Sequence, residues 1–378
     1  MNILICSEFY HPSIGGAQKV TQELSSNLST LGHNITVATS LFDKKLPRFE
    51  KINNINVYRF NISGNYVKGI KGKIEDYQNF LIKKRFDVIL FYAAQQCTFD
   101  AAIPILEKIK SNLYLATCGF SRIKNLKYKK YFHILPSVMK KINCNIVHSN
   151  NYQDALFLKK NNIRNRILIP NAAGSEFLSR NKKNFLKKFN IKKNGINILN
   201  VATYKFNKGQ DLSILAFMFI KSKQDLNLIF VGDKFDSKIY KIYLLLLKIF
   251  VEFFSKKKKI YFLKNISRDY VNSSFFDSNL FIFTSRLECS PLVIFESSAA
   301  GLPFFSLEVG NVKEISKWTK CGIVFKNIFS LSTAISSYLS DKKKIKKLSH
   351  NGIKKYKEKY NWKKISLRYL NAFKKYNF

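Results

Sequence analysis

The sequence predicts an α/β protein of two doubly wound, largely parallel domains in tandem. The first observation is local. Residues 2–6 form a short apolar run, a Gly15-Gly16 pair follows, and Val20, Leu24, Leu28 and Leu31 then recur at helical spacing. Gly32 closes that helix and residues 35–39 read as the next strand, giving strand, glycine turn, helix, strand. The second observation is a new series of strands and helices after Pro170, where proline interrupts regular structure. The third is length, since 378 residues suit two domains better than one.

The remaining elements follow in order. In the first series, residues 88–92, 113–117 and 145–148 are further strand-like runs with helical stretches between them. In the second, the strands are 196–201, 226–231, 260–263, 280–283 and 304–307. Helical periodicity at 212–220, 294–300 and 331–339 separates them. Residues 341–378 are Lys-rich with Ile345, Leu348, Ile353 and Tyr356 at helical spacing, and read as amphipathic helix.

Composition excludes several classes. Hydrophobic residues make up 46% and aromatics 15%, so wholesale disorder is excluded. The six cysteines (Cys6, Cys97, Cys118, Cys144, Cys289, Cys321) are scattered, with no C-x-x-C pair. That spacing argues against a zinc site or a disulfide framework, and reduced thiols in a cytoplasmic protein are expected. The N-terminal run has no basic flank and meets Glu8, so it does not read as a signal peptide. The most apolar later stretch, 239–254, contains Lys241, Lys248 and Glu252 and falls short of the ~20 apolar residues of a spanning helix. The 65 Lys and Arg against 24 Asp and Glu leave a formal net charge of +41, which points to anionic partners. A genome-wide drift toward Lys explains abundant lysine but not scarce acids.

Ligands of doubly wound sheets bind beyond the carboxyl ends of the strands, and two such domains facing each other would share a cleft there. Four segments fall at strand ends. Gly15-Gly16 lets backbone N–H groups approach a phosphate at a helix start, or is a plain turn pair. Lys205 and Lys208-Gly209 follow the first strand of the second series, where lysine neutralises a diphosphate as a point charge. Residues 285–292 hold Glu288, a Ser290 suited to cap a helix and a Pro291 suited to its first turn. The N–H groups of Leu292 and Val293 would then form an anion site, with Glu296 on the second turn among small and apolar neighbours. The fourth, Gly301-Leu302-Pro303, reads as ordinary turn chemistry before a strand.

Taken together these residues resemble the family 4 glycosyltransferases, which have the GT-B architecture of two Rossmann-like domains. Pro12 to Ala17 and Leu31 to Val37 look like the family's "P-x-x-GG-A" and "GH-x-V-x-V" signatures, and Ile169-Pro170-Asn171 like its linker. Lys208-Gly209 looks like its diphosphate-binding turn, Glu288 to Glu296 gives its Glu-x7-Glu motif, and Ala299 to Pro303 is similar to its "A-x-G-x-P". The resemblance implies an acceptor-side domain over 1–168, a nucleotide-sugar domain over 169–360, and a C-terminal helix, 361–378, packing back on the first domain.

It also implies retaining transfer from a UDP- or GDP-linked sugar without a bound metal or other cofactor, and no D-x-D motif stands at a plausible strand end. Glu288 would be the catalytic carboxylate at the donor sugar. Glu296 would hold the ribose. Gly16, Lys205, Lys208, Ser290, Leu292 and Val293 would bind the rest of the donor. Gly15, Cys118 and Gly119 would contact sugar or acceptor. Thr203 stands where many members carry Arg, and Cys118-Gly119 where many carry His-Gly.

The acceptor expected is a glycan or a lipid-linked glycan of a cell-surface polysaccharide such as lipopolysaccharide or capsule. Basic segments 124–141 and 238–259 mix lysine with apolar residues, which fits a peripheral contact with the inner face of an anionic membrane as well as a solvated lysine face. Two rivals remain. A basic nucleic-acid-binding protein would suit the charge, yet no helix-turn-helix, RNP or zinc-finger pattern occurs and nucleic acid is not expected as partner. A glycan-binding protein on an inactive transferase scaffold would suit Thr203 and Cys118.

Overall fold

The computed structural model describes residues 1–180, 183–192 and 194–376. The chain divides into two compact units, Met1–Asn171 with Trp362–Phe378, and Ala172–Asn361.

The first unit contains β1 (Asn2–Ser7), β2 (Asn34–Ser40), β3 (Phe49–Ile52), β4 (Ile55–Phe60), β5 (Ile62–Asn65), β6 (Gly69–Gly72), β7 (Val88–Tyr92), β8 (Asn112–Ala116), β9 (Cys144–Val147) and β10 (Arg166–Leu168). Eight of these form one sheet in the order β10-β9-β8-β7-β1-β2-β4-β3, while β5 and β6 make a separate hairpin. The central pairs are parallel, with Ile3 beside Ile35 on one side and Val88 on the other. Continuous burial explains the unbroken apolar runs, because helices cover both faces of a parallel sheet. Helix Gly16–Thr30 buries Val20, Leu24 and Leu28, and Gly32 follows it with a left-handed φ of 85°.

The sequence reading missed four strand regions for physical reasons. In β4 the inward position after Ile55 and Val57 is Arg59, a charge that breaks the apolar alternation. Arg59 is buried because Glu50 and the carbonyls of Pro47 (3.1 Å) and His11 (2.8 Å) satisfy it. An Asn53-Asn54 turn, with φ of 46° and 64°, joins β3 to β4 antiparallel. The β5–β6 hairpin contains Gly64, Gly69 and Gly72 and has little side-chain signal. β10 is three residues long, and the sixth strand of the second unit is a half-exposed edge.

The second unit contains β11 (Ile196–Val201), β12 (Leu226–Gly232), β13 (Lys258–Lys264), β14 (Leu280–Phe283), β15 (Phe304–Leu307) and β16 (Gly322–Phe325). They form one fully parallel sheet in the order β13-β12-β11-β14-β15-β16. Helices Gln210–Phe219, Leu292–Ala299 and Ile328–Ser340 occupy the positions expected for them.

The C-terminal region is two helices, Lys342–Glu358 and Trp362–Lys375. The chain turns at Tyr360, whose carbonyl accepts from Ala173 N at 3.2 Å. The last helix belongs to the first unit and buries Trp362, Ile365, Tyr369 and Phe373 there. The Phe373 ring meets Tyr114 edge-on at 4.7 Å, and Tyr114 OH donates to the Phe373 carbonyl at 3.0 Å. The expected 361–378 helix ends in two residues, 377 and 378, that lie outside the described residues.

Phe373→Ala is expected to destabilise the first unit by about 3–5 kcal/mol, read as a lower urea midpoint. Leu367→Ala, at an exposed position of the same helix, is expected to stay within about 0.5 kcal/mol of the parent.

Candidate active site

In the six-stranded sheet the chain leaves β11 in both directions, with β12 and β13 on one side and β14 to β16 on the other. The carboxyl ends of β11 and β14 flank the point where strand order reverses, which is where such sheets bind ligands. The segments that follow these two strands are locked together. Gly209 has a left-handed φ of 64°, and a Cβ there would stand 2.0 Å from the Thr284 carbonyl oxygen. Thr284 Oγ1 donates to the Gly209 carbonyl at 2.6 Å, and Arg286 N donates to the Asn207 carbonyl at 2.8 Å. The Arg286 guanidinium lies over the Phe206 ring and pairs with both oxygens of buried Asp211, at 2.8 and 2.6 Å. Held this way, Lys208 Nζ sits 2.7 Å from Glu288 Oε1.

Glu288 leads into helix Leu292–Ala299. Pro291 is the cap residue of that helix, so Ser290 does not cap it as expected and Pro291 is not in its first turn. Ser290 Oγ instead accepts from Asn311 Nδ2 at 3.2 Å. The first N–H groups of the helix, on Leu292 and Val293, have no carbonyl a turn earlier to bond. Gly310, with φ of 53°, presses on the same stretch: a Cβ there would lie 2.6 Å from the Cys289 carbonyl oxygen. Glu296 is 4% exposed. Its partner is Arg268, whose Nη2 lies 2.5 Å from Oε1 and also reaches Glu176 at 3.5 Å. Burial opposes the charge on Arg268, but the two carboxylates outweigh it and hold the guanidinium protonated.

In the first unit the strand order reverses between β1 and β7. Gly15 and Gly16 follow β1 at the start of helix Gly16–Thr30. Gly15 is extended, and the nearest atoms a Cβ on it would meet belong to the movable Gln18 side chain, while one on Gly16 would meet nothing within 4 Å. The fold itself demands glycine at neither position. Four non-glycine residues with positive φ gather at the ends of β7 and β8: Ala93 (76°), Gln95 (65°), Cys118 (54°) and Phe120 (49°). Strain of this kind collects at functional sites. Asp154 steadies the second group by accepting from Thr117 Oγ1 and from Gly119 N (2.9 Å).

His148, just beyond β9, donates from Nδ1 to the Ile169 carbonyl at 2.8 Å. Its Nε2 faces Tyr92 OH at 3.4 Å and Cys118 Sγ at 3.9 Å. Burial holds the His148 imidazole below its usual range and pushes the Cys118 thiol up to about 12, so both are neutral. After β1, burial and then the Asp100 charge push Glu8 up to about 7, against the pull of Lys68. Burial also raises Asp100 to about 6, although Tyr66 N and Tyr131 OH donate to it at 2.8 and 2.9 Å.

Residues 181–355 match the family described as Glycosyl transferases group 1. The chain is 24% identical over 404 residues to the uncharacterized glycosyltransferase MJ1607 of Methanocaldococcus jannaschii, covering 99% of this chain and 98% of that one. Its fold matches sucrose-phosphate synthase from Thermosynechococcus elongatus with a TM-score of 0.81 at 16% identity, over 99% of this chain and 98% of that one. The chain is a glycosyltransferase of the GT-B fold. Anabaena HepE in complex with UDP gives a TM-score of 0.74 at 14% identity, over 99% of this chain and 100% of that one.

In this glycosyltransferase Lys208 and Glu288 meet directly, and Glu296 lies one turn into the helix that Leu292 and Val293 begin. Lys205 turns elsewhere, with Nζ 3.5 Å from Asp236 and both side chains about half exposed. Gly15, Gly16, Cys118 and Gly119 stand beyond carboxyl ends of the first sheet. Sequence reasoning missed Arg268, Asp211, Gly310, Glu8 and His148. Arg268 and Asp211 each meet a partner far along the chain, which spacing cannot show. Glu8 had a readable position, directly after the first strand.

Between the usual carboxylate value of about 4 and about pH 7, folded Glu8 and Asp100 bind more protons than the unfolded chain. Stability of the first unit is therefore expected to fall as pH rises through that window. Urea midpoints measured across it are expected to show the decline, and Glu8→Gln is expected to flatten it.

Proposed function

We propose that this glycosyltransferase moves a sugar from a nucleoside diphosphate donor, UDP- or GDP-linked, to a hydroxyl of a glycan or lipid-linked acceptor, with retention at the anomeric carbon. The observation that carries the reading is the 2.7 Å Lys208–Glu288 pair where strand order reverses, immediately before a helix start. A diphosphate needs positive charge and N–H donors, which Lys208 and the first turn at Leu292 and Val293 supply. A donor sugar needs hydrogen-bond acceptors for its hydroxyls beside the diphosphate, which is the role read for Glu288. Glu296, one turn deeper, suits the paired hydroxyls of a ribose. Lys205, engaged with Asp236, contributes general positive field.

The chemistry is a substitution at the anomeric carbon. The bond from that carbon to the diphosphate oxygen breaks, and a bond to the acceptor oxygen forms on the same face. The acceptor proton passes to the departing phosphate oxygen, so no protein nucleophile is required. Lys208 and the helix N–H groups offset the negative charge that grows on the leaving group. In the first unit, Gly16 leaves room for a close backbone approach by phosphate or sugar. The neutral Cys118–His148 pair offers weak polar contacts in place of a charged one. HepE, solved with UDP, supports the donor class. The basic surface supports placing the acceptor in cell-surface polysaccharide assembly.

A panel of UDP- and GDP-sugars tested for hydrolysis and transfer is expected to give turnover with one donor class. Lys208→Met is expected to lower that turnover about 10²-fold or more while leaving the thermal midpoint near the parent's. Glu296→Gln is expected to raise KM for the donor. Unchanged kinetics in both variants would remove the site assignment, and an inverted anomeric centre in the product would remove retention.

A further inference from the structure

Helix Lys238–Phe254 has two apolar faces. One is used by the fold: Tyr240, Leu244 and Val251 are buried, and Leu247 packs on the same core. The other is bare. Ile239, Ile242, Leu246, Ile249, Phe250 and Phe253 are all exposed, from 50% at Phe250 to 81% at Ile239. Their steps of three and four residues place them in one stripe along the helix. At 1.5 Å per residue the stripe, from Ile239 to Phe253, runs for about 21 Å. A helix that is apolar all round is ordinarily buried all round, and contiguous bare patches of this kind mark interaction sites. No helix among the described residues is long and apolar enough to cross a membrane.

Charge decides what covers the stripe. Lys238 and Lys241 stand exposed at one end, and Lys256, Lys257 and Lys259 at the other. The acid within the helix, Glu252, is occupied by Lys248 (3.6 Å), Lys259 (3.9 Å) and the N–H of Ile260 (2.7 Å). A second copy of a chain carrying +41 would set these lysine clusters against each other. A bilayer with acidic headgroups accepts both parts: the apolar stripe enters the acyl boundary and the terminal lysines reach the headgroup phosphates. The other basic stretch, around helix Lys129–Lys140, exposes lysines but only Leu126 among large apolar residues nearby. We propose that helix Lys238–Phe254 is a membrane-docking element that lies flat in the headgroup region of an anionic bilayer. Docking through this face is independent of the donor and of the reaction.

Cosedimentation of the full chain with phosphatidylcholine vesicles, with and without phosphatidylglycerol, tests it. Binding is expected to the phosphatidylglycerol vesicles, weakening with salt. The double variant Ile249→Glu with Phe253→Glu changes two exposed side chains and is expected to keep the parent's thermal midpoint and donor turnover. Its affinity for those vesicles is expected to fall at least about tenfold. No binding by the parent chain, or equal binding by the double variant, overturns the proposal. So does a dimer of the parent chain in lipid-free solution that the double variant converts to monomer, because the stripe would then belong to a second copy.

Discussion

The contact between Gly209 and Thr284 is the constraint on which the second unit's site depends. A strand-end turn after β11 and another after β14 are brought so close that a side chain at 209 would overlap the Thr284 carbonyl. Only glycine meets both the left-handed φ and the lack of space. The bond from the Thr284 hydroxyl to the Gly209 carbonyl, and the backbone bond from Arg286 to Asn207, follow from that approach. So do the Arg286–Asp211 and Lys208–Glu288 pairs, whose partners lie more than 70 positions apart in sequence. The positions of Lys208 and Glu288 are thus a consequence of sheet order and one glycine, not of any local motif.

The chain is short of acids, and the second unit places several of them with care. Asp211 and Glu296 are nearly inaccessible, and each is held by an arginine from another element. Breaking one such pair would leave a buried charge without compensation. Glu288 is more open, and its lysine partner is equally suited to a phosphate. In the first unit the two raised carboxyls, Glu8 and Asp100, stand without an arginine and are held partly neutral by burial instead. The two units therefore manage buried carboxylates by different means, pairing in one and protonation in the other.

Most strands were legible because parallel strands covered on both faces read as unbroken apolar runs. Ile196–Val201, Leu280–Phe283 and Phe304–Leu307 match the reading to the residue. The failures have causes that local pattern cannot reveal. Arg59 sits at an inward strand position because distant carbonyls satisfy it, so β4 looked unlike a strand. The helix boundary at Ser290 slipped by one residue because serine and proline are each good at two adjacent positions. Lys208, Glu288 and Glu296 were visible from the order of their motifs. Arg268 was not, because its pairing with Glu296 exists only once the sheet has formed. The stripe on helix Lys238–Phe254 was visible as apolar residues, but sequence alone could not say which of its two faces the core would take.

The most direct measurement is a structure of the full chain with bound UDP or GDP, whichever raises its thermal midpoint. The account predicts diphosphate density against Lys208 Nζ and the first turn of helix Leu292–Ala299, with the ribose on Glu296. Density for the nucleotide elsewhere, with Lys208 still paired to Glu288, would contradict it.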